Sequence, residues 1–293
     1  MSTRRIALTL TLFAAALSAG QFARADSPYT QTKNVVYAEI DGVGLILDVF
    51  TATGKPNGLG LVDVASGAFH SDRGKIEDHR RARVYDIFCG KGYTVFAVRP
   101  GSITKFNLAE MANNLKKGVA WVKQHADEYK IDPDRLGLMG ASAGGHLASL
   151  VAVTADDDTA VKATGVFFPP TDFLDYRGQK IDADTPLENL ARVKRFVYTN
   201  GAEPASTSEL IEKLEQVSPA LLVTDKAPPF LIIHGDADPV VPLDQSKKLA
   251  AALESAGVPA ELIIKQGGGH PWPTIHEEVQ VMADWFDKQL SGD

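Results

Sequence analysis

The chain has one cysteine, Cys89, so no disulfide can close within it. Cys89 stands in Val84-Tyr85-Asp86-Ile87-Phe88-Cys89, an apolar helical face, where a buried thiol behaves as a small hydrophobe. Positive charge is not in excess. Thirty Lys and Arg face 37 Asp and Glu, for a formal charge of −7, which argues against nucleic acid and anionic membrane surfaces as partners. No apolar run reaches the ~20 residues a spanning helix needs, so stable membrane insertion is not expected. No H-x-x-x-H or clustered-ligand spacing suggests a metal. Internal repeats and low-complexity tracts are absent too, which sets aside solenoids and linkers.

What remains is an ordinary globular composition: 293 residues, 44% hydrophobic and 23% charged. The N-terminus reads as a leader. Arg4-Arg5 precedes the apolar run Ile6 to Leu17, and Ala23-Arg24-Ala25 supplies an A-x-A cleavage signal before Asp26. Residues 1–25 are therefore expected to be a signal peptide and the protein secreted or periplasmic. Their removal takes away three arginines and no acid, and moves the charge from −7 to near −10.

From residue 34 strand-like and helix-like segments alternate. Val35–Ile40 and Leu45–Phe50 flank Asp41-Gly42-Val43-Gly44, a hairpin signal. Leu59–Val64, Tyr93–Val98, Arg135–Met139, Ala163–Phe168, Phe230–Ile233 and Glu261–Ile264 read as strands. Arg80–Cys89, Leu108–Tyr129, Leu243–Ala256 and Ile275–Leu290 read as helices. This predicts a single α/β domain over 26–293, with a mostly parallel sheet, helices on both faces and an antiparallel N-terminal edge. Residues 171–225 break the alternation. They are polar and irregular, with a helix expected at Ser208–Gln216, and form either a small lid insertion or an ordinary surface excursion.

The chemistry-bearing stretch is Gly140-Ala141-Ser142-Ala143-Gly144. An apolar strand precedes it, and a small-residue helix start, Gly145-His146-Leu147-Ala148, follows. Strand, G-x-S-x-G, helix is the context of a nucleophile elbow. A serine hydroxyl needs a base, and the base needs an orienting carboxylate. Phe230 to Ile233 runs into His234-Gly235-Asp236-Ala237-Asp238-Pro239, a strand end carrying acids. Gly267-Gly268-Gly269-His270 follows the last strand. Asp236 competes with Asp238, which is favoured for the rigid Pro239-Val240-Val241-Pro242 turn after it. His146, His234 and His276 compete with His270, which is favoured for its glycine run. The order Ser142, Asp238, His270 is that of α/β-hydrolases.

These stretches, together with Asp132-Pro133-Asp134-Arg135 and Pro228-Pro229, resemble an α/β-hydrolase carboxylesterase. The closest likeness is to bacterial carbohydrate-esterase and feruloyl-esterase-like enzymes, bordering the hormone-sensitive-lipase-like esterases. The resemblance covers the chain from about residue 34 and implies the α/β-hydrolase fold. It also implies acyl transfer without a cofactor, and a small-molecule or polysaccharide ester as substrate, such as an acetyl or feruloyl ester of a carbohydrate. In that family the loop after the third strand usually reads His-Gly-Gly-Gly and an aromatic; here it reads Ala65-Ser66-Gly67-Ala68-Phe69. The resemblance places the oxyanion-binding N–H groups at Gly67, Ala68 and Ala143. The Ala68 methyl narrows that space, which predicts poor turnover of bulky tertiary-alcohol esters. Phe69, His70, Phe168 and Trp272, each beside a strand end or the histidine, are candidates to line the substrate pocket. Trp272, between two prolines, is placed to stack on a sugar or aromatic acid. Two other readings stand beside the esterase: a prolyl-oligopeptidase-like peptidase, and a non-catalytic binding protein on a hydrolase fold, which the altered 65–69 loop favours.

Overall fold

The computed structural model describes residues 27–291. The leader expected over 1–25 lies outside the described residues. β1 (Tyr29–Ile40) and β2 (Val43–Ala52) form an antiparallel hairpin. Its turn residues, Asp41 and Gly42, both have positive φ, as a tight two-residue hairpin requires. β3 (Gly60–Val64), β4 (Thr94–Arg99), β5 (Leu136–Ala141) and β6 (Ala163–Phe167) follow as apolar runs buried almost throughout. A small separate hairpin, β7 (Asp175–Tyr176) and β8 (Gln179–Lys180), precedes β9 (Phe230–Gly235) and β10 (Ala260–Lys265).

The eight-stranded sheet runs β1-β2-β4-β3-β5-β6-β9-β10. β1–β2 and β2–β4 pair antiparallel and all other pairs are parallel. Continuous apolar runs suit such strands because both faces are covered. The faces alternate by residue: Val62 and Val64 enter one core and Leu61 the other. The first core holds α3 (Leu108–Gln124), α5 (Ala143–Val153) and α8 (Leu243–Ser255). The second holds α1 (Arg73–Arg81), α2 (Val84–Gly90) and α9 (Ile275–Leu290). The chain therefore has the α/β-hydrolase arrangement expected of its sequence.

Two expected helices are each split. The segment read as Arg80–Cys89 is the end of α1 and α2, separated by Arg83 in the left-handed region at φ 63°. The segment read as Leu108–Tyr129 is α3 and a short α4 (Ala126–Tyr129). They are divided at His125, whose Nδ1 lies 2.8 Å from the Trp121 carbonyl oxygen. Side-chain bonding to the helix backbone at such a point competes with propagation.

Residues 171–225 carry β7, β8, α6 (Ala191–Val197) and α7 (Thr207–Glu215). α7 occupies the position expected of a helix and α6 was not anticipated. Phe173, Leu190, Phe196, Leu210 and Leu214 bury themselves in the first core. The segment is tied to α8 at its root. Gln245 Oε1 accepts from the N–H groups of Thr171 and Asp172, both at 2.8 Å. Lys248 Nζ lies 3.0 Å from carboxylate oxygens of Asp172 and Asp175. Among the described residues no helix is long and apolar enough to cross a membrane.

Candidate active site

The carboxyl ends of β5, β6, β9 and β10 lie side by side, and the candidate residues stand just beyond them. Ser142 caps α5 with φ 54° and ψ −119°, a conformation that costs a non-glycine residue on the order of 1–3 kcal/mol. The turn closes only because its flanks lack side chains. A Cβ on Gly144 would sit 2.4 Å from the Val64 carbonyl oxygen, and one on Gly140 would sit 2.3 Å from that of Gly144. The Ser142 N–H donates to the Phe167 carbonyl at 2.9 Å, which fixes the elbow to the neighbouring strand.

His270 comes to Ser142 from the loop after β10. That loop lies against the end of β9 closely enough that a Cβ on Gly235 would sit 2.2 Å from the Gly268 carbonyl oxygen. His270 Nε2 is 2.8 Å from Ser142 Oγ, and its Nδ1 is 2.6 Å from Asp238 Oδ2. With Nδ1–H donating to the carboxylate, Nε2 is left as the acceptor for the serine proton. Asp238 Oδ1 accepts from the N–H groups of Val240 and Val241 at 2.7 and 2.9 Å. Burial alone would push the Asp238 carboxyl up. Hydrogen bonds from His234 and His270 and from the N–H groups of Val241 and Val240 outweigh it and hold the group well below the usual carboxylate range.

The competing residues have other partners. Asp236 Oδ1 accepts from the Gly267 N–H at 2.7 Å, joining the two loops. His234 is fully buried between Ser246 Oγ (2.6 Å) and the Val241 carbonyl (2.9 Å), and its Nε2 also lies 3.4 Å from Asp238 Oδ2. It thus steadies the acid, a role the sequence did not suggest. His146 Nδ1 lies 3.0 Å from the Pro170 carbonyl oxygen, and its ring packs against Phe69 and Phe173. Its burial pushes it down to about 4, against the pull of that backbone bond. His276 is half-buried on α9.

The expected oxyanion donors are corrected at one position. The Gly67 N–H donates to the His70 carbonyl and the His70 N–H returns to the Gly67 carbonyl, both at 2.9 Å. Gly67-Ala68-Phe69-His70 is therefore a closed tight turn, with Ala68 at φ 49° and Phe69 at φ 60°, and Gly67 has no N–H to offer. Ala68, exposed at the turn tip, and Ala143, at the first position of α5, keep theirs outside the backbone pairs.

A cavity of about 560 Å³ opens above Ser142, walled by Phe69, Ala143, Phe173, Tyr176 and Phe196. Of the four expected pocket residues only Phe69 is in this wall. Phe168 and Trp272 lie on the other side of His270, in the second core. The Phe168 ring is 4.4 Å from that of His270 and 5.9 Å from that of Trp272. Trp272 Nε1 donates to Glu278 at 2.6 Å. Phe168 backs the histidine, and the buried indole behind it, its N–H already used, offers no face to a sugar. His70 closes the turn through its backbone and does not stand in this wall. The sequence missed the walls supplied by residues 173–196. Their signal, aromatics interleaved with arginines in a polar stretch, has no fixed spacing to search for. Among the described residues no three His, Cys, Asp or Glu side chains are grouped to hold a metal.

The family model described as BD-FAE matches residues 47–253, a span that holds Ser142 and Asp238 and ends before His270. The probable carboxylic ester hydrolase LipM of Mycobacterium tuberculosis is 35% identical over 199 residues, covering 61% of this chain and 44% of LipM. The probable isoprenylcysteine alpha-carbonyl methylesterase ICMEL1 of Arabidopsis thaliana is 30% identical over 178 residues, covering 56% and 36%. The chain thus spans less than half the length of these curated relatives. A truncated carbohydrate esterase from gut microbiota superposes with a TM-score of 0.74 at 24% identity, over 91% of this chain and 99% of that one, a likeness of fold.

Proposed function

The chain belongs to the BD-FAE family, and on that premise we propose that it is a carboxylic-ester hydrolase acting through Ser142, His270 and Asp238. The observation that carries the reading is the unbroken hydrogen-bonded line from Asp238 through His270 to a strained serine at the floor of a cavity. His270 takes the Ser142 proton as the hydroxyl attacks the ester carbonyl. Asp238 holds the imidazole in the tautomer that accepts at Nε2 and stabilises the imidazolium. The N–H groups of Ala68 and Ala143 receive the oxyanion; two donors are enough for such a hole, each worth roughly 10²–10³ in turnover. His270 then returns its proton to the leaving alcohol. It acts as base again when water opens the acyl-enzyme.

An acyl or alcohol part linked to carbohydrate, such as an acetyl or feruloyl ester, is the finer proposal, supported by the likeness in the sequence motifs. Export to the periplasm or beyond is proposed from residues 1–25. The decisive experiment is hydrolysis of a 4-nitrophenyl acyl series by the wild type and Ser142→Ala, with fluorophosphonate labelling beside it. Loss of roughly 10⁶ in turnover is expected, together with loss of labelling. Equal rates and no labelling of the wild type would end the ester-hydrolase reading and favour a binding protein.

A further inference from the structure

The cavity above Ser142 is lined on one side by cations. Lys180 on β8 and Arg192 and Arg195 on α6 all stand in its wall, and no Asp or Glu does among the described residues. Arg192 and Arg195 are three residues apart, so they share a helix face. Lys194, between them, lies off that line and is ion-paired with Glu203. Lys180, Arg192 and Arg195 have no carboxylate within ion-pair distance among the described residues. A fourth cation, Arg177, is engaged: it donates to the carbonyls of Pro239 and, at 2.9 Å, Val240. It ties the cavity wall to the Asp238 loop.

Composition does not produce this grouping. Residues 171–225 carry more acids than bases, in a chain of net charge −7. Three cations of the segment, Lys180, Arg192 and Arg195, line the cavity at its solvent-exposed margin, and none of its acids does. The Arg195 guanidinium carbon lies 5.4 Å from the Phe196 ring centroid, and that ring is itself cavity wall. All three cations are exposed, so their attraction for an anion is open to screening by salt, while a guanidinium fork matches a carboxylate in geometry.

From this we infer that the site selects esters carrying a second, anionic group, a carboxylate, held by Arg192 and Arg195 with Lys180 beside them while the ester carbonyl lies at Ser142. This inference rests on the ester-hydrolase reading for its reaction and on the cavity alone for its anion.

Two matched pairs of esters test it. 4-Acetoxybenzoate against its methyl ester places the charge on the alcohol side. 4-Nitrophenyl monoadipate against 4-nitrophenyl hexanoate places it on the acyl side at equal chain length. In at least one pair the anionic ester is expected to lead in kcat/KM by about tenfold or more, mainly through KM. The lead should shrink in Arg192→Gln/Arg195→Gln and at high salt, which screens exposed charges. A neutral ester turned over as well as its anionic partner in both pairs overturns the inference and leaves the esterase standing. If the wild type turns over none of the four, calorimetry of adipate and adipamide binding to Ser142→Ala decides. Adipate binding that the two arginine substitutions abolish upholds the anion site while the esterase reading falls. No preference for adipate overturns the site.

Discussion

Among the described residues the two tightest aspartate–histidine contacts differ in what lies beyond the imidazole, and only one reaches a nucleophile. Asp238 and His270 meet at 2.6 Å, and Asp63 and His79 at 2.8 Å; both carboxylate side chains are fully buried. Asp63 stands in β3 and His79 in α1, inside regular elements. Asp238, His270 and Ser142 all stand in loops or turns at strand ends. Asp238 has both oxygens used, Oδ2 by His270 and Oδ1 by two backbone N–H groups. Asp63 takes His79 and the Tyr85 hydroxyl on Oδ2 (2.8 and 3.1 Å), and its Oδ1 is buried without a partner. The pair is common to both; what differs is the far side of the imidazole, where His270 finds Ser142 Oγ. A hydrogen-bonded Asp–His pair is thus a structural clamp until a hydroxyl is set before it.

The same substitution made in both places should separate the two roles most widely. Asp238→Asn is expected to cut ester turnover by roughly 10⁴ while the protein folds, because the imidazole loses its preferred tautomer. Asp63→Asn is expected to leave turnover per folded molecule within a few-fold and to cost about 3–5 kcal/mol of stability, since it breaks a buried pair on one side only. Denaturant melts and active-site titration read the two quantities separately. Should Asp63→Asn silence the enzyme without destabilising it, the assignment of roles is reversed.

The histidines also differ in what pH does to them. His146 is held neutral, pushed by burial to about 4 from 6.5. The unfolded chain therefore binds a proton that the folded chain refuses between those values. Stability should fall by about 3 kcal/mol as pH drops through that window. His79 has the opposite sign. Burial pulls it down, but the Asp63 carboxylate outweighs burial and raises it. Its contribution is complete below about 6.5 and fades as pH rises through the folded-state value. Urea midpoints across pH should show His146→Gln flattening the acid limb and His79→Gln flattening the alkaline one. An unchanged acid limb in His146→Gln would assign that limb to the carboxylates.

The sheet was legible in the sequence because buried parallel strands are continuous apolar runs, and Gly140 to Gly144 because its glycines are sterically obligatory. Asp238 stood out from Asp236 through the rigid turn that presents its two N–H donors. The helix break at Arg83 was not legible, since nothing in that side chain demands a positive φ. Nor was the fate of the Gly67 N–H, which the closing of a four-residue turn decides. Phe168 looked like a pocket residue for following a strand end and Trp272 for standing beside His270, because sequence gives such nearness and not the side of the imidazole on which a ring packs. The cationic wall was least visible: it exists only because residues 177–195 fold back over Ser142.

Strain marks the reactive pair as well. Ser142, Ala68, Phe69 and Phe168 all have positive φ and all surround His270 or the cavity, whereas Asp63 and His79 sit in relaxed elements. Ala68→Gly tests this at its mildest point. The left-handed conformation costs alanine about 1–2 kcal/mol. Glycine removes that cost but adds about 0.4–1 kcal/mol of unfolded-state entropy. A net gain of order 0.5 kcal/mol is expected, the reverse of the loss that glycine brings within a helix or strand. Removal of the methyl should also admit bulkier alcohols, so turnover of a tert-butyl ester relative to an ethyl ester should rise in the variant. A destabilised variant with unchanged ester preference would mean that the turn holds no strain and that the methyl does not border the reacting carbonyl.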